Sequence, residues 1–418
     1  MGETDDAAAR IEPVWDWNGI VGTGQSLAVG TVPVTSETQP YNNLKLSLGR
    51  ATVPPWDPNH PDLAMAPLVE PIRPITGGYP RPYPENLCGE SLHSAMANQI
   101  TFLVRAVSGR DFVSVHTVVG ESGQGMESLK KRPGRTTGST GRAYAATLFE
   151  VAAIARLAQA HGKTFGIGAI VMTHGETDSG SPSYESELIQ LLEDYNADLA
   201  AITGQTTRIP MFMSQQFAYP KGPGQRPVAT LTQWQLAVER ARDFVCTGPK
   251  YQYPGQGDGV HLSAEGYRQL GEKTGQVYFE RVVLGRDWRP LQPLSAERAG
   301  RTIRVRFHVP VPPLVWDETL LMPNAWPGGR GFEVRAGTHA VDIHHVEVVR
   351  DSVEITCAAP LSETGLTVAY ALTSGKRQMT SGARAYRWGQ LRDSDPFVGS
   401  NTRSVQPNYC VTFQMPVR

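Results

Sequence analysis

No stretch of this chain is apolar for long enough to cross a bilayer. A spanning helix needs about 18 or more apolar residues in a row, and no such run occurs. Charge imbalance is missing as well. Lys and Arg number 39 and Asp and Glu 40, a net charge of −1, so nothing draws the chain as a whole to nucleic acid or to a membrane surface. Cysteine is scarce: Cys88, Cys246, Cys357 and Cys410 stand far apart with no C-x-x-C. That spacing excludes a zinc cage or a thioredoxin-like site, although Cys357 and Cys410 could close a disulfide. Met1-Gly2-Glu3-Thr4-Asp5-Asp6 is acidic and polar, unlike a signal peptide. No leader is expected in the chain as it stands, and the compartment is left open.

Familiar catalytic signatures are absent too. There is no Gly-x-Ser-x-Gly, which argues against the nucleophile elbow of the α/β-hydrolases. Gly22-x-Gly24-x-x-Leu27 lacks the third glycine of a dinucleotide loop. Gly162-Lys163-Thr164 follows a helical pattern and has Leu157 where a phosphate loop needs glycine. No His-Glu-x-x-His or other zinc spacing occurs. Neither a metal nor a cofactor is expected.

What is present reads as a globular protein, 40% hydrophobic and 19% charged. A chain of 418 residues is long for one domain, and two are the natural expectation. Apolar runs at 19–24, 112–119, 165–172 and 209–214 predict buried strands, with His116 a hydrogen-bonded core residue. Helical spacing at 90–107, 145–160, 184–202 and 228–245 predicts helices between them, and Ser263 is a good N-cap for another reaching about 283. Short apolar strands alternating with long helices predict a parallel sheet covered on both faces: an α/β, three-layer αβα, doubly wound domain over 1–288. Residues 31–88 form a Pro-rich insertion unsuited to long helices. Its Tyr41, Trp56, Tyr79 and Tyr83 either pack the insertion down or line a pocket. Lys130-Lys131-Arg132-Pro133-Gly134-Arg135, with Arg142 beyond, reads as a solvated loop that could meet an anionic substrate near a cleft. Beyond about 288 the period changes to two, at 302–309, 341–349 and 353–357. Residues 289–418 are therefore expected to form an all-β sandwich. No internal repeat is evident.

Three separated blocks carry chemistry. In Gly22-Thr23-Gly24-Gln25-Ser26 the glycines permit a tight turn that presents a hydroxyl at a strand's carboxyl end. Asp258-Gly259-Val260-His261 lets a carboxylate fold onto an imidazole three residues on, fixing its tautomer and stabilising its cation. Serine is a poor nucleophile until such a base takes its proton. His174-Gly175-Glu176-Thr177-Asp178 and Gly120-Glu121-Ser122-Gly123-Gln124-Gly125 follow two other predicted strands. In such sheets ligands sit beyond the carboxyl ends of the strands, so one rim can hold all of these segments.

In this order, Gly24-Gln25-Ser26, Gly175-Glu176-Thr177-Asp178 and Asp258-Gly259-Val260-His261 resemble the SGNH (GDSL-like) hydrolase superfamily over roughly residues 15–285. They are most similar to its acetylesterase branch, which includes sialate O-acetylesterases and family 6 carbohydrate esterases. The resemblance implies a flavodoxin-like fold, Ser26 as nucleophile, His261 as general base and Asp258 as its orienter. Glu176 is a second candidate for holding the imidazole. The implied oxyanion hole combines the Ser26 N–H, a glycine N–H (Gly123, with Gly125 in reserve) and a side-chain donor from the third block. The branch usually has glutamine immediately before Gly-Glu; this chain has His174, whose N–H could donate instead. The implied substrate is a small-molecule or glycan ester, most simply an O-acetyl ester of a polyhydroxylated molecule. An acyltransferase with the same triad and a non-catalytic glycan-binding protein are the alternatives. Trp388-Gly389-Gln390-Leu391-Arg392-Asp393-Ser394 also resembles C-terminal segments of such esterases, as a binding element or as a buried corner.

Overall fold

The computed structural model describes residues 14–30, 33–51, 56–72, 89–132, 141–217, 227–320, 329–361, 365–372 and 389–418. Cys88, Tyr79, Tyr83, Trp388 and the Pro133–Arg135 end of the basic run lie outside them.

The first part runs β1 (Trp17–Gly24), α1 (Ser26–Val29), β2 (Leu44–Ser47), β3 (Ala64–Pro67), α2 (His93–Ser108), β4 (Ser114–Gly120), α3 (Met126–Leu129) and α4 (Arg142–Ala160). It continues β5 (Phe165–Thr173), α5 (Tyr184–Thr203), β6 (Met211–Gln215), α6 (Val228–Glu239), β7 (Phe244–Pro249) and α7 (Ala264–Tyr278), ending in a π-helical turn at Phe279–Val283. The seven-stranded sheet has the order β3-β2-β4-β1-β5-β6-β7. Every pairing is parallel except β2 with β3. From β1 the chain crosses to β4 on one side and then to β5 on the other. The carboxyl end of β1 is therefore the point where strand order reverses, the place where open α/β sheets open a crevice.

Alternation along each strand sends apolar side chains to both faces. Ile20 packs on one side with Met96 and Ile100 of α2 and Leu270 of α7. Val21 packs on the other with Val151 and Ile154 of α4 and Leu191 of α5. Helices α2 and α7 touch closely because Gly271 and Gly275 line their seam. A Cβ at these positions would stand 2.2 Å from the Leu92 carbonyl oxygen and 2.8 Å from that of Met96.

The predicted αβα layering is what forms, with two corrections. The Pro-rich insertion contributes a hairpin, β2 and β3, that extends the sheet edge, so the sheet is mixed and not wholly parallel. The helix expected over 228–245 stops at Glu239, and Phe244–Pro249 is a fully buried strand. Ala237, Ala241, Phe244 and Val245 keep helical spacing, and no Gly or Pro marks the short connection. Trp56 stacks on Phe149 at 6.0 Å and so packs its part of the insertion down. His116 is buried with its Nδ1 2.9 Å from that of His93.

The second part is β8 (Gln292–Ala299), β9 (Thr302–His308), β10 (Val315–Trp316), β11 (Phe332–Ala336), β12 (His339–Val341), β13 (Ile343–Val349), β14 (Ser352–Cys357), β15 (Leu366–Tyr370), β16 (Leu391–Arg392) and β17 (Phe413–Pro416). Two four-stranded antiparallel sheets, β13-β14-β9-β8 and β12-β11-β15-β17, enclose Val305, Phe307, Ile355, Phe332, Val368 and Phe413 as a sandwich. Cys357 and Cys410 are both buried free thiols, so the disulfide entertained between them is absent. Asp393 is wholly buried and accepts from the main chain of Val311, Asp395 and Asn408; residues 389–394 thus form a structural corner.

The sandwich is joined to the sheet domain by one continuous apolar cluster and by buried polar contacts. Gln215 at the end of β6 exchanges two hydrogen bonds with the Thr412 main chain, each 2.8 Å. Trp234 on α6 donates to Gln292 at 3.1 Å. Glu272 on α7 accepts from the Asn401 N–H at 2.6 Å, from the Thr402 N–H at 2.7 Å and from the Gln406 amide at 2.7 Å. No helix among the described residues is long and apolar enough to cross a membrane.

Candidate active site

At the reversal point, β1 ends in Gly24 with φ of +141°, where a Cβ would sit 2.1 Å from the Thr173 carbonyl oxygen of β5. Only glycine lets the two strand ends approach so closely. Gln25 continues the contact, its N–H on the Thr173 oxygen at 3.2 Å. Its side-chain oxygen accepts from the Thr177 N–H at 3.3 Å. Ser26 then begins α1, half-buried, beyond the sheet.

His261 comes from the loop between β7 and α7, far along the chain. Its Nε2 lies 2.7 Å from Ser26 Oγ, and its Nδ1 lies 2.6 Å from Asp258 Oδ2. The second Asp258 oxygen accepts from the main-chain N–H groups of Val260 (2.9 Å) and His261 (2.8 Å). One carboxylate thus folds its own loop and orients the ring. Burial works to raise the Asp258 carboxyl, but the bond from His261 and the two main-chain donors outweigh it and hold it below the ordinary value. An anion at Nδ1 keeps the proton there and leaves the Nε2 lone pair facing the serine hydroxyl. Gly257 (φ +95°) and Gly259 (φ +78°) allow the tight loop. Ser263 caps α7 as expected, its Oγ accepting from the Gly266 N–H at 3.2 Å.

The loop after β4 starts beside Gly24, with Glu121 N–H on the Gly24 oxygen at 2.9 Å. Its Glu121 carboxylate is buried against Arg142 at 2.7 Å, so Arg142 is not the free cation that the basic run suggested. Lys130 and Lys131 are likewise paired, with Glu187 at 2.9 Å and Asp198 at 2.7 Å. Gly123 is exposed with φ of +71°. Among the described residues neither its N–H nor that of Ser26 meets an acceptor. Beyond it, Asp178 accepts from the Met126 N–H at 2.7 Å. Gly125 leaves room for that carboxylate, since a Cβ there would stand 2.7 Å from Oδ1.

Two expected roles do not survive the geometry. Glu176 does not reach His261. Its Oε1 lies 2.6 Å from Lys250 Nζ in a buried ion pair, because Lys250 follows β7 and reaches back across the end of β6. His174 offers no N–H to an oxyanion. It is fully buried, with Nε2 on the Gln124 carbonyl at 3.0 Å and Nδ1 at 3.3 Å from the Tyr184 hydroxyl. Lys250, Tyr184 and Gln233 were not singled out from the sequence. They sit outside any block, and nothing in their local pattern marks them. Among the described residues no group of three or more His, Cys, Asp or Glu could hold a metal ion.

No family model matches the chain, and no curated protein matches it in sequence. Solved structures do. A carbohydrate acetylesterase from Xanthomonas citri superposes with a TM-score of 0.56 at 11% identity, over 95% of this chain and 80% of that one. The chain has the fold of that enzyme. A protein from Arabidopsis thaliana matches with a TM-score of 0.42 at 16% identity, over 64% of this chain and 99% of its own. A carbohydrate acetylesterase from Sinorhizobium meliloti matches with a TM-score of 0.34 at 15% identity, over 62% and 97%. These two are looser and add nothing to the fold assignment, which rests on coverage of nearly the whole chain by the first.

Proposed function

We propose that this chain is a serine esterase that removes an acetyl group from an oxygen of a carbohydrate. The observation that carries the proposal is the unbroken line Asp258–His261–Ser26, with contacts of 2.6 and 2.7 Å, at the crevice of a doubly wound sheet. Ser26 Oγ attacks the ester carbonyl while His261 Nε2 takes its proton. Asp258, held as an anion, stabilises the resulting imidazolium. The N–H groups of Ser26 and Gly123 receive the oxyanion. His261 then protonates the leaving alcohol, and water, deprotonated by the same nitrogen, releases acetate from the acyl-enzyme. The carbohydrate alcohol is supported by the motif resemblance and by the fold shared with an acetylesterase.

The test is acetate release from per-acetylated monosaccharides and from p-nitrophenyl acetate. Ser26→Ala is expected to lower turnover by at least about 10³-fold while leaving the melting temperature within a degree or two. Retained turnover in that variant would end the proposal. Faster cleavage of butyrate than of acetate would remove the acetyl assignment. Ester formation with an added sugar, outpacing hydrolysis, would convert the reading to an acyltransferase.

A further inference from the structure

A buried line of side chains runs from α6 to the loop that carries Gly123. Gln233 on α6 donates its amide to the His174 carbonyl at 2.6 Å and to the Tyr184 hydroxyl at 3.3 Å. Tyr184 opens α5, its ring stacked on that of His174 at 5.8 Å and 14°. The His174 ring then reaches the Gln124 carbonyl through Nε2. All three side chains are completely buried.

The proton positions follow from the two ends. A carbonyl can only accept, so Nε2 of His174 carries the hydrogen and Nδ1 is left as a lone pair. The Tyr184 hydroxyl donates to that lone pair and accepts from the Gln233 amide. Every donor along the line has an acceptor. Burial holds the imidazole below its ordinary value; Lys250 pushes the same way, against Asp178 and Glu176. A protonated ring would aim a second N–H at the Tyr184 oxygen and leave the tyrosine hydrogen without a partner.

The loop is thereby pinned on both sides of Gly123. Glu121 N–H is fixed to Gly24 before it. Gln124 C=O and Met126 N–H are fixed after it, by His174 and Asp178. We propose that His174 is a positioning residue for the oxyanion loop, gripping the Gln124 carbonyl so that the Gly123 N–H points into the crevice, with Tyr184 and Gln233 fixing its tautomer. This rests on the esterase reading for its catalytic consequence, though the grip itself does not depend on it. A glutamine at 174, the residue that the resemblance leads one to expect, could make the same grip through its amide.

Three measurements on the full chain test this. First, nitrogen-15 NMR of the histidine rings is expected to show His174 neutral with its proton on Nε2 at neutral pH and above. A ring that is doubly protonated there, or that carries its single proton on Nδ1, overturns the proposal. Second, hydrogen exchange of the Gln124 and Met126 amides, which are bonded to the Glu121 carbonyl and the Asp178 carboxylate, is expected to rise at least about tenfold in His174→Phe, which keeps the ring and removes the nitrogens. Unchanged exchange in a folded variant overturns it. Third, His174→Phe is expected to lower kcat for p-nitrophenyl acetate about 10- to 100-fold with KM within about twofold, short of the full loss of an oxyanion donor. His174→Gln is expected to recover most of that loss. Equal kcat in wild type and His174→Phe rules out positioning, as does failure of His174→Gln to recover. Should the wild type cleave no acetyl ester at all, the esterase reading fails, and the ring spectra and exchange rates still decide the grip.

Discussion

Asp258 serves its loop and its histidine with different oxygens, and that division decides what its loss does. Asp258→Asn keeps an acceptor for the main-chain N–H groups but presents an amide to Nδ1 where an anion stood. The expected outcome is a fall in kcat of about 10² to 10⁴-fold with a near-normal circular dichroism spectrum, checked by steady-state kinetics on p-nitrophenyl acetate. Asp258 is half exposed, with 46% of its side chain accessible, so the lower end of that range is favoured by solvent screening. A loss under about threefold would mean that another group orients His261. Residues linked through short sequence spacing were legible at this scale: Asp-x-x-His announces its own contact. His174 and Glu176 were not, because their partners, Gln124, Tyr184 and Lys250, are brought up by other elements. Sequence supplies a donor's chemistry but not the acceptor that tertiary packing places before it.

The elements around the site carry two further consequences. At the end of β1, Gly24→Ala would drive a methyl into the Thr173 oxygen at 2.1 Å. It is expected to cost about 3 kcal/mol or more and to abolish turnover, measured by urea unfolding beside the activity assay. At the edge of the sheet, Glu70 follows β3 and is buried beside the start of α2. It accepts from the Ser91 hydroxyl at 2.6 Å and from the Ser94 N–H at 3.3 Å. Burial raises its carboxyl from 4.5 to about 7, with Glu90 adding to the rise while the two hydrogen bonds and Lys45 oppose it. The native state therefore holds a proton that the unfolded chain releases earlier. Its contribution to stability is complete below about pH 4.5 and is lost as pH rises through about 7, at most on the order of 3 kcal/mol. Relative to Glu70→Gln, the wild type is expected to lose stability between pH 5 and 8 in urea titrations; parallel curves would refute this. The hairpin that precedes Glu70 was hidden in the sequence by the prolines around it, which forbid helices but tolerate an edge strand. The core strands were legible because burial on both faces leaves continuous apolar runs. Strand β7 was not, since its run continues the helical spacing of α6.

For the whole molecule, the sandwich is part of the body that holds the site. Gln215, Trp234, Tyr251 and Glu272 of the sheet domain all find buried partners in residues 292–412, the Tyr251 hydroxyl meeting the Cys410 carbonyl at 2.5 Å. A chain ended after residue 288 would leave them unsatisfied over exposed apolar surface. The expected result is an insoluble fragment, or one without a cooperative melt, whereas the full chain melts in one transition. A 1–288 fragment melting sharply near the full-length temperature would show that the two parts are independent. The change of period near 288 was plain in the sequence, but the strength of the junction was not. It rests on single polar side chains pairing with main chain far away, which leaves no pattern in either segment.

Ser26 and His261 stand 235 positions apart. A ribosome makes the hydroxyl early and the imidazole only after every strand of the sheet has been synthesised. Until then the nascent chain carries its proposed nucleophile with no imidazole to take the proton. On the proposed mechanism growing chains are inert toward esters, and the appearance of turnover during synthesis would time the moment at which the sandwich docks.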